Sequence, residues 1–161
     1  MLTFESVKMD FPSDANIIIG QSHFIKTVED VYEAIATTVA QAKFGLAFNE
    51  SSGPCLTRSD GNDDELRSAA IGNAQALAAG HVFVVLIRNA FPINVLNAVR
   101  QVPEVCNIFC ATANPVEVVV ARSEQGGGIV GVIDGSSPNG VEGPDDVIAR
   151  HSFLRKIGYK R

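Results

Sequence analysis

Basic residues are scarce in this chain. Thirteen Lys and Arg stand against eighteen Asp and Glu in 161 residues, and the formal net charge is -5. No basic stripe appears, which argues against nonspecific DNA or RNA binding, where Lys and Arg neutralise phosphates. It leaves room for a small nucleotide, because helix starts and backbone amides also hold phosphates. Cysteine is sparse too: only Cys55, Cys106 and Cys110. Cys106 and Cys110 lie in an apparent strand, and no second Cys/His pair accompanies them, so buried thiols are expected rather than a zinc site. Long hydrophobic runs are missing. His81–Ile87 is far below the about 20 residues a membrane helix needs, and Met1–Asp10 carries acids and no signal-type apolar stretch. With an odd cysteine count and no export signal, the expected compartment is the cytoplasm. No internal repeat, linker or low-complexity tract is apparent.

What is present is apolar and ordered in pattern. Hydrophobic residues make up 46% of the chain, enough for one domain spanning residues 1–161 with a real core. The most informative segment runs from Ile17 to Thr27. A buried-strand run ends at Gly20, a polar turn carries Gln21, Ser22 and His23, and a helix opens at Thr27. Thr27 is the expected N-cap, with Glu29 and Asp30 in the first turn. Val28, Val31, Tyr32, Ile35 and Val39 recur at helical spacing. First-turn amides need partners, and an anion beside His23 can supply one, with Lys26 adding a charge. Histidine at such a corner is suited to carry a proton or a phosphoryl group. A packing or loop-capping role for His23 is the plainer alternative.

The remaining pattern reads as strands over Phe4–Asp10, Asn16–Gly20, Phe44–Asn49, Cys55–Ser59, His81–Ile87, Val105–Ala111, Pro115–Ala121 and Ile129–Ile133. Helices are expected at about Val28–Gln41, from Asn62 to a stop at Gly80, from Pro92 to before Pro103, and from Pro144 to Gly158. The order ββ-α-ββ-α-β-α-βββ-α predicts an α/β fold with a mixed sheet and helices on both faces, a three-layer α/β/α sandwich.

Several polar breaks are further candidates. Gln125-Gly126-Gly127-Gly128 allows close backbone approach to a ligand but lacks the P-loop pattern, so a flexible hairpin loop is the plainer reading. Glu124 beside it can act as base or metal ligand. Thr112 and Asn114 follow a buried strand, and Asn114 offers donor and acceptor to a base edge or makes an Asx turn. Asn89, Asn94 and Asn97 surround the Pro92 helix start, where one can face a ligand or interface. Asp134 ends the last strand and can contribute to a magnesium–phosphate site, or simply to a turn. His81 and His151 read as structural or solvent-facing.

Taken together, Gly20-Gln21-Ser22-His23-Phe24-Ile25-Lys26-Thr27, Lys43-Phe44-Gly45-Leu46-Ala47-Phe48, Phe91-Pro92-Ile93-Asn94-Val95-Leu96-Asn97-Ala98, Cys110-Ala111-Thr112-Ala113-Asn114-Pro115, Gly131-Val132-Ile133-Asp134-Gly135 and Phe153-Leu154-Arg155-Lys156-Ile157-Gly158-Tyr159 resemble the adenosine-specific kinase family over nearly the whole length. The resemblance implies a compact three-layer α/β/α-like fold that binds adenosine and its phosphates, and a histidine able to hold a phosphoryl group. That role is carried to His23, with His81 the fallback. The expected adenosine or ATP contacts are Gln21, Ser22, Asn94, Thr112, Asn114, Glu124, Gly126, Gly127 and Gly128. Lys26, helix-start amides and Mg²⁺ at Asp134 or Glu124 are the expected charge stabilisers. A homo-oligomer, with a trimer favoured, is also implied. A non-catalytic adenine-nucleotide sensor and a purely structural oligomer remain alternatives.

Overall fold

In the computed structural model, which describes all 161 residues, Met1–Arg161, every expected element forms, with ends shifted by a few residues. The strands are β1 (Thr3–Lys8), β2 (Asn16–Ser22), β3 (Lys43–Asn49), β4 (Thr57–Gly61), β5 (Val82–Arg88), β6 (Val105–Thr112), β7 (Val116–Arg122) and β8 (Gly127–Asp134). The helices are α1 (Thr27–Thr38), α2 (Asp64–Leu77), α3 (Pro92–Arg100) and α4 (Pro144–Lys156). Helix α2 starts one residue later than expected. Its cap is Asp63, whose carboxylate accepts from the Leu66 amide at 3.0 Å. It stops at Ala78, in the left-handed region at φ 43°, rather than at Gly80.

The sheet differs from the expectation in one respect. There is no mixed sheet. A five-stranded sheet in the order β4-β3-β5-β2-β6 and a three-stranded sheet in the order β1-β7-β8 are both antiparallel throughout. The physical reason lies in two interlocked crossovers. β2 and β3, joined by α1, run parallel, but β5 lies between them and opposes both. β5 and β6, joined by α3, also run parallel, with β2 between them. Each β-α-β unit is thus split, and no two parallel strands are neighbours. A strand buried on both faces looks the same in either arrangement.

The layering follows from which side chains each strand turns to which face. Ile18, Phe44, Leu46, Phe48, Phe83, Val85 and Ile87 meet Val28, Val31 and Ile35 of α1 and Val95 and Val99 of α3. On the other face, Ile17, Ile19, Ala47, Val84 and Leu86 meet Leu66, Ala70, Ala74 and Leu77 of α2 together with Val116, Val118 and Val120 of the small sheet. Burying such Leu, Ile or Phe side chains contributes about 1.5–3 kcal/mol each before entropy is counted. The result is a compact α/β domain: α1 and α3, then the large sheet, then α2 with the small sheet. Helix α4 is the exception. None of its residues is buried, and Ile148 and Phe153 lie largely in solvent. No helix is long and apolar enough to cross a membrane.

Candidate functional site

The corner after β2 is built by constraints that the sequence hints at only in part. Gly20 has no room for a side chain: a Cβ there would stand 2.3 Å from Cζ of buried Phe83 and 2.8 Å from the Asn107 carbonyl oxygen. The β2–β6 pairing shifts register twice in this stretch, at Ile19/Gly20 and at Gln21/Ser22. Such irregularities re-aim the chain at a sheet end. Ser22 turns inward, and its Oγ lies 2.5 Å from Thr27 Oγ1, which donates to the Phe24 carbonyl at 2.6 Å. The His23 amide donates to the Glu104 carbonyl at 3.1 Å. The loop is therefore pinned on both sides of His23, while His23, Gln21 and Lys26 remain exposed.

Helix α1 departs from the expected start. Thr27 is its first helical residue rather than its cap, and Lys26 occupies the cap position without a side-chain cap. The hydroxyl of Thr27 is spent on Ser22 and Phe24. The amides of Thr27, Val28, Glu29 and Asp30 donate to the carbonyls of Phe24, Ile25, Lys26 and Lys26. The tightened first turn satisfies its own donors. They are not free for the anion expected there. The available cations are side chains. Lys26 Nζ is 2.8 Å from Asp30 Oδ2, which pulls Asp30 below and lifts Lys26 above its usual range through that hydrogen bond. Lys26 and Arg58 line one open cavity of about 460 Å³ together with Ile25, Glu29, Ser59 and Asp60. Arg58 is held by Glu50 at 3.0 Å, and its Nε is buried without an acceptor. Nothing in the sequence pointed to Arg58, because β4 reaches Lys26 only through the fold.

His81 lies beside this corner. The Ser22 amide donates to its carbonyl at 3.0 Å, and its ring stacks on Phe48 with centroids 5.7 Å apart. Its backbone is left-handed at φ 62°, unusual for a non-glycine residue.

The glycine loop joins the same end of the molecule. An open cavity of about 640 Å³ lies between Glu50, Ser51, Cys55 and Gly80 on one side and Gln125 to Gly128 on the other. Gly127 is explained by packing: a Cβ there would meet Arg122 Nη1 at 2.4 Å and the Ala78 carbonyl oxygen at 2.8 Å. Arg122 closes the end of α2, donating to the carbonyls of Leu77 and Ala78 while its other nitrogens reach Glu5. Gly126 and Gly128 face open space, and Glu124 is exposed.

Asn94, Thr112, Asn114 and Asp134 gather at the opposite end of the sheet. Thr112 pairs with Ile17, four positions back along β2 from Gln21, which is roughly 13 Å at about 3.3 Å per residue. Asp134 Oδ1 accepts from Thr112 Oγ1 at 2.8 Å and from Asn114 Nδ2 at 3.0 Å. Asn94 Oδ1 accepts from the Phe91 amide at 2.8 Å and so caps α3. Beside them, Asn16, Phe91, Pro92, Ile93, Ala111 to Ala113, Phe153, Ile157 and Tyr159 line a largely apolar cavity of about 520 Å³. No group of three or more His, Cys, Asp and Glu side chains is arranged to hold a metal ion, at Asp134, at Glu124 or elsewhere. Cys110 is a buried thiol, pushed up to about 11 by burial, and Cys55 and Cys106 are free and exposed.

The fold and the first corner define an α/β protein that presents an exposed histidine, three residues before Lys26, at one end of an antiparallel sheet. The chain belongs to the adenosine specific kinase family, whose model matches residues 7–160. The family description supports a nucleotide-related kinase function, with adenosine or ATP implied as substrate. It is also similar to the PH1918 protein from Pyrococcus horikoshii OT3, known from a crystal structure. The two are 44% identical over 100% of this chain and 99% of that one, with a TM-score of 0.96. No curated protein matches the chain.

Proposed function

We propose that this protein transfers a phosphoryl group from ATP to an acceptor through His23. The observation that carries the reading is the pinned, exposed corner: His23 is fixed by the Glu104 carbonyl and the Ser22–Thr27 hydroxyl pair, and Lys26 stands three residues on. In the first step an imidazole nitrogen forms a bond to the terminal phosphorus, and the bond from that phosphorus to the bridging oxygen breaks, releasing ADP. In the second, an acceptor hydroxyl takes the phosphoryl group, loses its proton to solvent and frees the histidine. Charge spreads over the phosphoryl oxygens in both steps; Lys26, three residues from His23, and Arg58, which shares a cavity with Lys26, would stabilise it. Mg²⁺ would supply charge neutralisation as the counter-ion of the nucleotide phosphates, a mode that needs few protein ligands. His81, one strand over, is the alternative phosphoryl carrier. Gln21, Glu124 and Gly126 to Gly128 are the nucleotide contacts at this end; Ser22, expected among them, is buried with its hydroxyl on Thr27 and holds the loop instead.

A second reading is favoured by one observation. The apolar, aromatic-lined cavity near Thr112 and Asn114 is the surface best suited to a purine ring, yet it lies at the far end of the sheet from His23. On that reading the protein binds adenosine or an adenine nucleotide as a sensor, with no turnover. A homo-oligomer, a trimer by the family resemblance, accompanies either reading. It is supported by the exposure of Phe4, Val130, Ile133, Ile148 and Phe153. The deciding test is intact-protein mass spectrometry after incubation with Mg-ATP under non-acidic conditions. A phosphate-sized gain in the wild type that is absent in His23→Asn supports the kinase. ATP binding without any gain supports the sensor.

A further inference from the structure

Glu104 is the only Asp, Glu, Lys, Arg or His side chain among the buried residues. It sits just before β6, 2% exposed, and its backbone carbonyl is the acceptor that fixes His23. Its side chain has no donor. Neither Oε1 nor Oε2 has a hydrogen-bond partner, and the nearest cation, Lys26 Nζ, is 4.0 Å from Oε2 and gives its short contact to Asp30 instead. A carboxylate buried in this way is costly. A carboxylic acid brings its own donor, and the Asp30 carboxylate is the acceptor beside it. Burial above all raises Glu104 above the usual carboxyl range; its own backbone amide opposes the shift, and the neighbouring Asp30 carboxylate adds to it.

The charges then balance. With Lys26 positive, Asp30 negative and Glu104 neutral, the cluster carries no net charge. An ionised Glu104 would instead place a second negative charge behind the cation that must receive a phosphoryl group. The surrounding groups are few. Glu33 acts on Lys26 from along α1. Glu29 shares its cavity with Arg58 and Asp60 of β4, Arg58 is itself paired with Glu50, and His23 flanks the cluster from the loop.

We propose that Glu104 is a positioning residue that stays protonated and donates a hydrogen bond to Asp30, so that Asp30 alone holds Lys26 at the mouth of the His23 corner. The inference rests on the reading of Lys26 as the phosphate-facing cation. Its chemistry, however, is testable apart from any turnover.

The test has two parts. Carbon-13 NMR of the full chain labelled at its glutamate carboxyls, with the Glu104 signal assigned through Glu104→Gln, reads protonation directly. A Glu104 carboxyl protonated at neutral pH is the expected result, and one ionised there overturns the proposal. ATP binding by calorimetry then reads the coupling to Lys26. Glu104→Ala is expected to lower affinity about tenfold, the scale of one lost hydrogen bond to a charged group. Glu104→Gln, which keeps a donor towards Asp30, restores most of it. The Lys26→Ala/Glu104→Ala double variant binds no more weakly than Lys26→Ala alone. Equal losses in the Gln and Ala variants, or additive losses with Lys26→Ala, overturn the proposal. A wild type that binds ATP but never gains a phosphate removes the kinase reading while leaving both of these readouts intact.

Discussion

The Ser22 amide donates to the His81 carbonyl at 3.0 Å, and through this bond two histidines separated by most of the first half of the chain stand on adjacent strand ends. β2 leaves the sheet where β5 enters it, in antiparallel register with Gln21 opposite Val82. The question of which histidine carries a phosphoryl group is therefore a comparison between close neighbours in one corner.

That comparison can be made chemically. After incubation with Mg-ATP, the phosphate-sized mass gain of the wild type is expected to vanish in His23→Asn and to persist in His81→Asn. The reverse pattern moves the carrier to His81. His81 also has a structural cost, because its left-handed backbone at φ 62° suits glycine. His81→Gly is expected to raise the denaturation midpoint slightly if the backbone term outweighs the lost stacking on Phe48.

The corner is held by a hydroxyl pair. Thr27→Val keeps the shape of the buried side chain but removes the donor to the Phe24 carbonyl and the contact with Ser22. The expected loss is about 1–2 kcal/mol of stability in urea unfolding, with ATP binding weakened more than in Ser22→Ala, which retains the Thr27–Phe24 bond. Unchanged stability and binding in Thr27→Val would show that the hydroxyls do not fix the loop.

Gly20 is required by packing against Phe83 and the Asn107 carbonyl. Gly20→Ala overpacks a site bounded by a fully buried ring and by backbone, and is expected to cost about 1–3 kcal/mol. A shorter ring partner should relieve part of this, so Gly20→Ala/Phe83→Leu is expected to lose less than the sum of the single substitutions.

Stability should vary with pH in two separate windows. A carboxyl raised in the folded state, as Glu104 is by burial, stabilises the fold below its ordinary value of 4.5 and loses that contribution as pH rises through the folded value. Asp30, lowered chiefly by its hydrogen bond with Lys26, stabilises above its ordinary 3.8 and loses that contribution only as pH falls through its lower folded value. Glu104→Gln is thus expected to gain on the wild type as pH rises from 4.5 towards neutrality, measured by urea midpoints. Asp30→Asn should differ from the wild type chiefly below 3.8 in the slope of the same plot. A flat difference between wild type and Glu104→Gln across that range contradicts the assignment.

The thiols should separate by burial. Cys110, pushed up to about 11, is expected to resist alkylation in the folded protein at neutral pH, while Cys55 and Cys106 react. Peptide mapping after iodoacetamide treatment, with and without denaturant, reads this directly.

The element boundaries and the buried stripes were legible in the sequence because they depend on local rules. Pro92 and Pro144 open helices, the Val/Ile/Phe run of β5 demands cover on both faces, and the α1 stripe repeats at helical spacing. The corner at Gln21 to Lys26 was legible for the same reason, as a strand run ending in glycine ahead of a helix. Strand direction was not, because a continuous apolar run carries no record of its neighbours. Only the interlocking of β2-α1-β3 with β5-α3-β6 made every pair antiparallel. Tertiary structure alone separated the expected nucleotide contacts into two groups at opposite ends of β2, brought His81 and Arg58 to the first of them, and turned the Thr27 hydroxyl and the first-turn amides inward. It also buried Glu104 behind Lys26. Each of these depends on contacts between residues distant in the chain, whose positions are fixed by the packing of two cores on one sheet and not by any local preference.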